Sequence, residues 1–398
     1  MQRARQYSQQ VYSANAAALL AREDQVQAKA ALLPTAQAIN GFIYTQPNGT
    51  PSGVFVPNDG PRVYTELANV HGDVYDPVKR AEYRRTIAAS AVAQARADLA
   101  ARGLIAVVTQ DYYGMAGAQR RVVNARQSLT ESREFNDLTQ KQERGGEAAR
   151  VDVIKSLLQV RQRERDLQEA EAGFEKARIT FAVILFPNYT QAFSVEDDLD
   201  TPPALPALDE IQSRANRNSP DLRAAGATVD QQTWALKGAR SAYLPSLSVD
   251  YWWGLQANQL AIHNPEGNNQ LGSSVAATLT VPVWNWGATR SKVRQAQALL
   301  QLARNDLSLT QRTLASEIDS FYLETKVAGA QIASLRDSEN LAIENLRLTR
   351  LRYTAGESTA QEVVDAQVAL VQARNAYDDG LARYRIAIAN LQTITGAF

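Results

Sequence analysis

Between Val78 and Arg144 lie 67 residues with hardly a helix breaker apart from scattered glycines, and the apolar positions recur at spacings of three and four. At about 1.5 Å per residue this run predicts a helix, or two stacked ones, roughly 100 Å long, which does not fit inside a compact domain. Gly145-Gly146 interrupts it, and a returning helix is expected from Ala148 to about Phe186, ending at Pro187.

The same grammar is written twice. Residues 1 to about 32 read as one helix rich in Ala, Gln and Arg that Pro34 stops. Two β-like segments follow at about 35–45 and 62–74, with dense turn chemistry from Gln46 to Pro61 between them. Asn188–Leu208 reads as a linker, with a solvated acidic run at Glu196–Asp200 and prolines at 202, 203 and 206. Beyond it Asp221–Tyr243 is helical and stops at Leu244-Pro245-Ser246, as the first helix stops at Leu33-Pro34-Thr35. Strands are expected at about 246–255 and 274–283, a second long helix over Ala288–Ala355 and a last helix from Ser358 to about Thr393. Pro245 lies 211 residues after Pro34, and Gly356 lies 210 after Gly146, so an internal duplication is the economical explanation. It divides the chain into a first repeat (1–187), the linker (188–208) and a second repeat (209–398). Ser219-Pro220-Asp221 then corresponds to about Ser8-Gln9-Gln10, so the first repeat lacks a counterpart of Leu208–Asn218 and the natural protein is expected to begin somewhat before Met1.

Composition removes several functions. Lys+Arg and Asp+Glu both total 42, so no global charge draws the chain to nucleic acid or to an anionic surface. Without cysteine there are no disulfides, thiolate metal sites or cysteine nucleophiles. His71 and His263 are read as solvated loop residues rather than metal ligands, and Asn48-Gly-Thr50 and Asn188-Tyr-Thr190 as chance matches to a glycosylation pattern. No phosphate-binding glycine loop or serine-nucleophile elbow occurs, so neither catalysis nor a cofactor is expected. No apolar signal-peptide core follows the polar Met1-Gln-Arg-Ala-Arg start, and no apolar run approaches the roughly 20 residues of a membrane-spanning helix. If the chain crosses a bilayer, it does so as β-strands.

On the second long helix Val293, Ala296, Leu300, Ala303, Leu307, Thr310 and Leu314 form a seam of near-heptad period, and Leu299, Leu302 and Ile332 broaden it. That pattern suits a sheet of helices closing into a cylinder, and equally an antiparallel bundle. In the strands, Leu247, Val249, Tyr251, Trp253 and Leu255 share one face, as do Val275, Ala277, Leu279, Val281 and Val283. Ten-residue alternating strands suit a lipid-facing barrel, and Tyr251, Trp252, Trp253, Trp284 and Trp286 suit an aromatic girdle at the membrane interface, although a soluble hairpin shows the same alternation. The first-repeat strands alternate poorly, with Asn40 on the face that should be apolar. Four strands cannot close a barrel, so the membrane reading requires an oligomer, two chains at the minimum.

Leu244-Pro-Ser-Leu-Ser, Val281-Pro-Val-Trp-Asn-Trp-Gly287, Arg352-Tyr353-Thr-Ala-Gly356 with Glu362-Val-Val-Asp365-Ala-Gln, and Leu391-Gln-Thr-Ile-Thr-Gly396 resemble, in order and spacing, the TolC-like outer-membrane efflux proteins. The resemblance implies a mainly helical fold with a small β part. Long antiparallel helices form a periplasmic α-barrel, and each chain of a homotrimer gives four strands to one twelve-stranded transmembrane β-barrel. It implies an outer-membrane export duct that passively conducts what an inner-membrane pump delivers through a periplasmic adaptor. It places adaptor docking at the helix tips, Gly145, Gly146, Gly356 and Glu357, and gate contacts at Asp152, Tyr353 and position 358. The carboxylates of the entrance constriction fall on Glu362 and Asp365. Position 358 departs from the pattern, because Ser358 stands where an arginine that locks the entrance is expected, leaving the closed state weaker or held through Arg150 or Lys155. From spacing alone, Glu362 and Asp365 share a helix face and would form two carboxylate rings in a trimer, or else are part of a solvated face. The alternative of another class is a soluble periplasmic coiled-coil adaptor or scaffold.

Overall fold

The structure, a computed structural model, describes residues 1–45, 62–201 and 203–395; the turn chemistry expected over Gln46–Pro61, with Asn48-Gly-Thr50, lies outside them. In chain order the elements are α1 (Gln2–Tyr7), α2 (Gln9–Ala30), β1 (Thr35–Tyr44), β2 (Arg62–Tyr75), α3 (Pro77–Gly145), α4 (Arg150–Leu185), α5 (Leu208–Asn218), α6 (Pro220–Ser241), β3 (Ser246–Ala257), β4 (Leu271–Thr280), α7 (Ala288–Thr354) and α8 (Ala360–Thr395). Two compact units divide the chain. One comprises Ala16–Ala95 and Arg223–Leu309; the other comprises Met1–Asn15, Arg96–Leu222 and Thr310–Phe398.

Local chemistry sets the element ends. Asp76 Oδ1 accepts from the N–H groups of Val78 and Lys79, both at 2.9 Å, capping α3 behind Pro77 in its first turn. Ser8 Oγ accepts from the Val11 N–H and Ser219 Oγ from the Leu222 N–H, each at 3.3 Å. These caps explain a departure from expectation. The single N-terminal helix is broken at Ser8 into α1 and α2, as Ser219 separates α5 from α6, because each serine takes an extended conformation and restarts the helix.

The first unit, containing Ala16–Ala95 and Arg223–Leu309, holds a four-stranded antiparallel sheet in the order β1-β2-β3-β4. Among the described residues both outer strands leave an open edge. Leu236 of α6 packs against Ala296 and Leu300 of α7, on the seam read from the sequence. Along α7 every seam residue is buried or half-buried, while Leu299 and Leu302 are exposed. The last strand begins and ends three residues earlier than expected. The alternation continues through Val281 and Val283, but Pro282 has no N–H to give a ladder and restricts Val281 as well, so β4 stops at Thr280.

In the second unit the expected solvated linker is pinned down. Arg120 of α3 lies 2.5 Å from Asp197, 2.7 Å from Asp200 and 3.1 Å from Asp378 of α8. Arg385 hydrogen-bonds the Asp198 carbonyl and lies 3.3 Å from its carboxylate. Leu199, 0% exposed, packs against Ala116 and Leu381. The acidic run pairs with arginines from distant helices, although Asp200 stays 65% exposed.

Candidate functional site

Two regions hold the residues singled out by sequence, one in each unit. The first is a pair of helical tips. At the end of α3 the Gly146 N–H donates to the Glu143 carbonyl (3.0 Å) and the Glu147 N–H to the Gln142 carbonyl (2.8 Å). At the end of α7 the Gly356 N–H donates to the Tyr353 carbonyl (3.1 Å) and the Glu357 N–H to the Arg352 carbonyl (2.8 Å). Each is a Schellman cap, with its glycine at φ +75° or +77°, which L side chains rarely adopt. Gly145 is still helical, the last residue of α3.

Behind the second tip Tyr353 is buried with Phe135, Leu346, Ala360, Val363, Ala366 and Leu370, and its ring meets Phe135 edge-on with centroids 5.2 Å apart. Burial, with the nearby Asp152 charge adding to it, pushes the Tyr353 phenol above its ordinary pKa. Asp152 is half-buried in the first turn of α4. Ser358 Oγ donates to the Thr349 carbonyl at 3.3 Å, a contact that ties the turn to α7 within its own hairpin. Arg150 likewise pairs with Glu143 across its own turn, at 3.4 Å.

Glu362 and Asp365 are both exposed, flanking the buried stripe of α8 that carries Val363, Ala366 and Leu370. Their contacts differ. Glu362 accepts from the Thr359 N–H while Thr359 Oγ1 accepts from the Glu362 N–H at 3.3 Å, which makes Thr359-Ala-Gln-Glu362 a capping box. That role was legible as a Thr-x-x-Glu spacing ahead of an apolar run, and the sequence reading passed over it. Asp365 accepts from Gln361 Nε2 at 2.9 Å.

The second region is the sheet. Leu247 pairs with Leu279, Val249 with Ala277 and Tyr251 with Val275, so the apolar residues of β3 and β4 meet on one face. They are not covered: Val275 is 69% and Leu279 64% exposed. The other face is mixed, with Ile39 opposite Leu67 and Ile43 opposite Val63 beside its polar residues. Gln37 Nε2 donates to Asn69 Oδ1 at 3.1 Å, and His71 Nδ1 lies 2.8 Å from Asp250 Oδ1, so His71 is a strand residue with a carboxylate partner and not a loop residue. Asn40 pairs with Glu66 on the face that β3 and β4 make largely apolar, the irregularity the sequence indicated.

Of the five aromatic residues, Tyr251 and Trp253 point to the apolar face and Trp252 to the mixed one, because neighbours in a strand alternate. Trp284 and Trp286 lie after β4, exposed and packed edge-on 5.7 Å apart, in a turn where Trp286 (φ +54°) and Gly287 (φ +83°) are both left-handed. Trp253 pairs with Ser273 near the start of β4, whereas Trp284 and Trp286 follow its other end. Among the described residues no helix is long and apolar enough to cross a membrane.

An open antiparallel sheet with one uncovered apolar face, alongside paired helices of 69 and 36 and of 67 and 36 residues, defines an outer-membrane channel subunit. Residues 211–397 match the family described as outer membrane efflux protein. The chain is 25% identical over 323 residues to the cobalt-zinc-cadmium resistance protein CzcC of Cupriavidus metallidurans, covering 80% of this chain and 72% of that one. It is 23% identical over 340 residues to the alkaline protease secretion protein AprF of Pseudomonas aeruginosa, covering 84% and 69%. Among solved structures its fold is similar to the outer membrane protein VceC of Vibrio cholerae (TM-score 0.86, 18% identity, 99% and 94% covered). It is also similar to the open state of the Neisseria gonorrhoeae MtrE outer membrane channel (TM-score 0.83, 19% identity, 99% and 87% covered).

Residues 211–397 thus belong to the outer membrane efflux protein family, and over most of its length the chain is TolC-like in its relatives and its fold. It is an export channel of the outer membrane with its helical part in the periplasm, and not a soluble adaptor. Members of the family are channels, and they work in tripartite systems with an adaptor and a pump.

Proposed function

We propose that the protein acts as a homotrimer, a duct without catalytic chemistry that opens and closes at its helical tips. The observation that supports this best is the sheet itself. Among the described residues its apolar face is uncovered and both edges are unpaired, and in lipid each unpaired backbone group costs several kcal/mol. Three chains of four strands would pair every edge in a twelve-stranded barrel, within the range such barrels occupy. The apolar face would then meet lipid and the mixed face, with Asn69, His71 and Asp250, would line the water-filled interior. Tyr251 with Trp253, and Trp284 with Trp286, would mark the two membrane interfaces, seven residues or about 24 Å apart along the strand from Ser246 to Trp253.

In this reading the chain is an internal duplication with repeats at 1–187 and 209–398, each ending in one tip. The tips at Gly145-Gly146 and Gly356-Glu357 receive the periplasmic adaptor that joins the duct to its pump. Glu362 and Asp365 narrow the entrance as rings of carboxylates. Tyr353, Asp152 and Ser358 hold the tip hairpins in their closed arrangement, with Ser358 tying its turn to Thr349 where an arginine was expected. CzcC is named for cobalt, zinc and cadmium resistance and AprF for protease secretion, so the duct itself sets a wide limit on cargo and the pump selects it. Detergent-purified protein should image as a three-fold particle, and planar bilayers should show cation-preferring conductance blocked by divalent ions. Glu362→Ala/Asp365→Ala should lose both the block and the preference. A monomeric or two-fold particle overturns the trimer, and unchanged block removes the two carboxylates from the entrance.

A further inference from the structure

Glu362 and Asp365 look equivalent in sequence, but they carry different electrostatic weight. One Glu362 oxygen, Oε1, is held by the Thr359 N–H and hydroxyl, each at 3.2 Å. The other, Oε2, lies 3.8 Å from Arg352 Nη1. Arg352 stands in the last turn of α7, and its Nη2 donates to the Glu357 carbonyl at 3.2 Å, which holds the guanidinium over the turn. Both Glu362 oxygens are thus engaged by this chain's own groups, one by a helix N-terminus and one by a cation. Asp365, by contrast, takes its hydrogen bond from a neutral amide, that of Gln361.

We propose that Arg352 is the built-in counter-ion of Glu362, so that each chain presents one uncompensated carboxylate, Asp365, to the entrance, and that Arg352 thereby sets how strongly the channel prefers cations. The inference rests on the reading of Glu362 and Asp365 as lumen-facing. The pair is half-exposed, so it adds little to stability. Its effect is on the field: a carboxylate with a guanidinium beside it acts at a distance as a dipole, whereas an isolated carboxylate acts as a full charge. For a divalent ion some 7 Å away in water, one uncompensated charge changes affinity roughly five- to ten-fold. Removing Arg352 doubles the net negative charge per chain, and removing Glu362 alone leaves Arg352 to cancel Asp365. Removing both returns the wild-type balance.

The test compares wild type, R352Q, E362Q, R352Q/E362Q and D365N in planar bilayers, reading the reversal potential in a KCl gradient and the concentration of Mg²⁺ that half-blocks conductance. Gln at position 362 can still close the capping box, so E362Q keeps the turn. Oligomer retention in detergent is checked for each variant. R352Q should tighten Mg²⁺ block about five-fold or more and raise cation preference. D365N and E362Q should each weaken both, and R352Q/E362Q should behave as wild type. If R352Q changes neither quantity while D365N lowers both, the counter-ion role is wrong and the constriction stands. If the double variant keeps the R352Q behaviour, Arg352 does not act through Glu362 and the proposal fails. If D365N and E362Q are as silent as R352Q, the constriction reading falls and this inference falls with it.

Discussion

Arg120→Ala should release the strap formed by the acidic run. Arg120 joins Asp197 and Asp200 of the strap to Asp378 of α8, and these three contacts are unequal. Asp200 is 65% exposed, so its pair contributes a fraction of a kcal/mol. Asp197 is one-third exposed, and Asp378, largely buried, keeps Asn124 as a hydrogen-bond donor at 2.8 Å after Arg120 is lost. Hydrogen bonds to charged groups contribute about 1.5–3 kcal/mol each, and the partial exposure and the surviving Asn124 bond bring the expected loss to about 2–3 kcal/mol. Read by hydrogen exchange of peptides covering the strap, that is roughly 30- to 150-fold faster local opening.

The dependence on pH has a definite sign. Burial opposes the charged form of Asp197, but the Arg120 hydrogen bond, the Leu199 N–H and the Arg120 charge outweigh it and hold the carboxyl below its ordinary pKa. Its stabilisation is therefore complete above the unfolded value near 4 and is lost as pH falls through the lower folded value. The ratio of variant to wild-type exchange, measured at the same pH, should be constant from pH 7 to 5 and shrink below about 4. An increase of less than about three-fold at neutral pH, or a ratio that does not shrink in acid, refutes the account.

At Gly146 and Gly356 an added Cβ meets no atom within 4 Å, so Gly146→Ala and Gly356→Ala are penalised chiefly by the left-handed backbone, about 1–2 kcal/mol, and Gly146→Val and Gly356→Val by at least as much. Efflux, measured as loss of resistance in cells, should fall while the oligomer persists, and normal efflux counts against tip docking. Val275→Arg on the exposed apolar face should destabilise membrane-inserted protein by about 2–4 kcal/mol in urea unfolding from vesicles, while Ala276→Arg, its neighbour on the other face, should lose far less; equal losses contradict the assignment of faces. Phe135→Ala removes a ring that is 1% exposed and packed on Tyr353, and a loss of about 3–5 kcal/mol should show as a lowered thermal midpoint in circular dichroism, whereas an unshifted midpoint contradicts that packing.

The sequence by itself determined what is local. Pro34, Gly146, Pro245 and Gly356 place helix ends within a few residues, because a missing N–H or a left-handed backbone acts on its own turn whatever surrounds it. The apolar side of β3 and the seam on α7 were also legible, since periods of two and of three to four survive any packing. Only the tertiary structure decided the rest. The alternation alone would have carried β4 to Val283, and pairing of Tyr251 with Val275 fixed where the strand lies. The acidic run read as solvated because its partners, Arg120 and Arg385, stand 77 and 187 residues away from the groups they hold, and no window of sequence brings them together. Glu362 and Asp365 were matched by spacing and separated by geometry, since a carboxylate's charge is cancelled or left bare by whatever folds beside it.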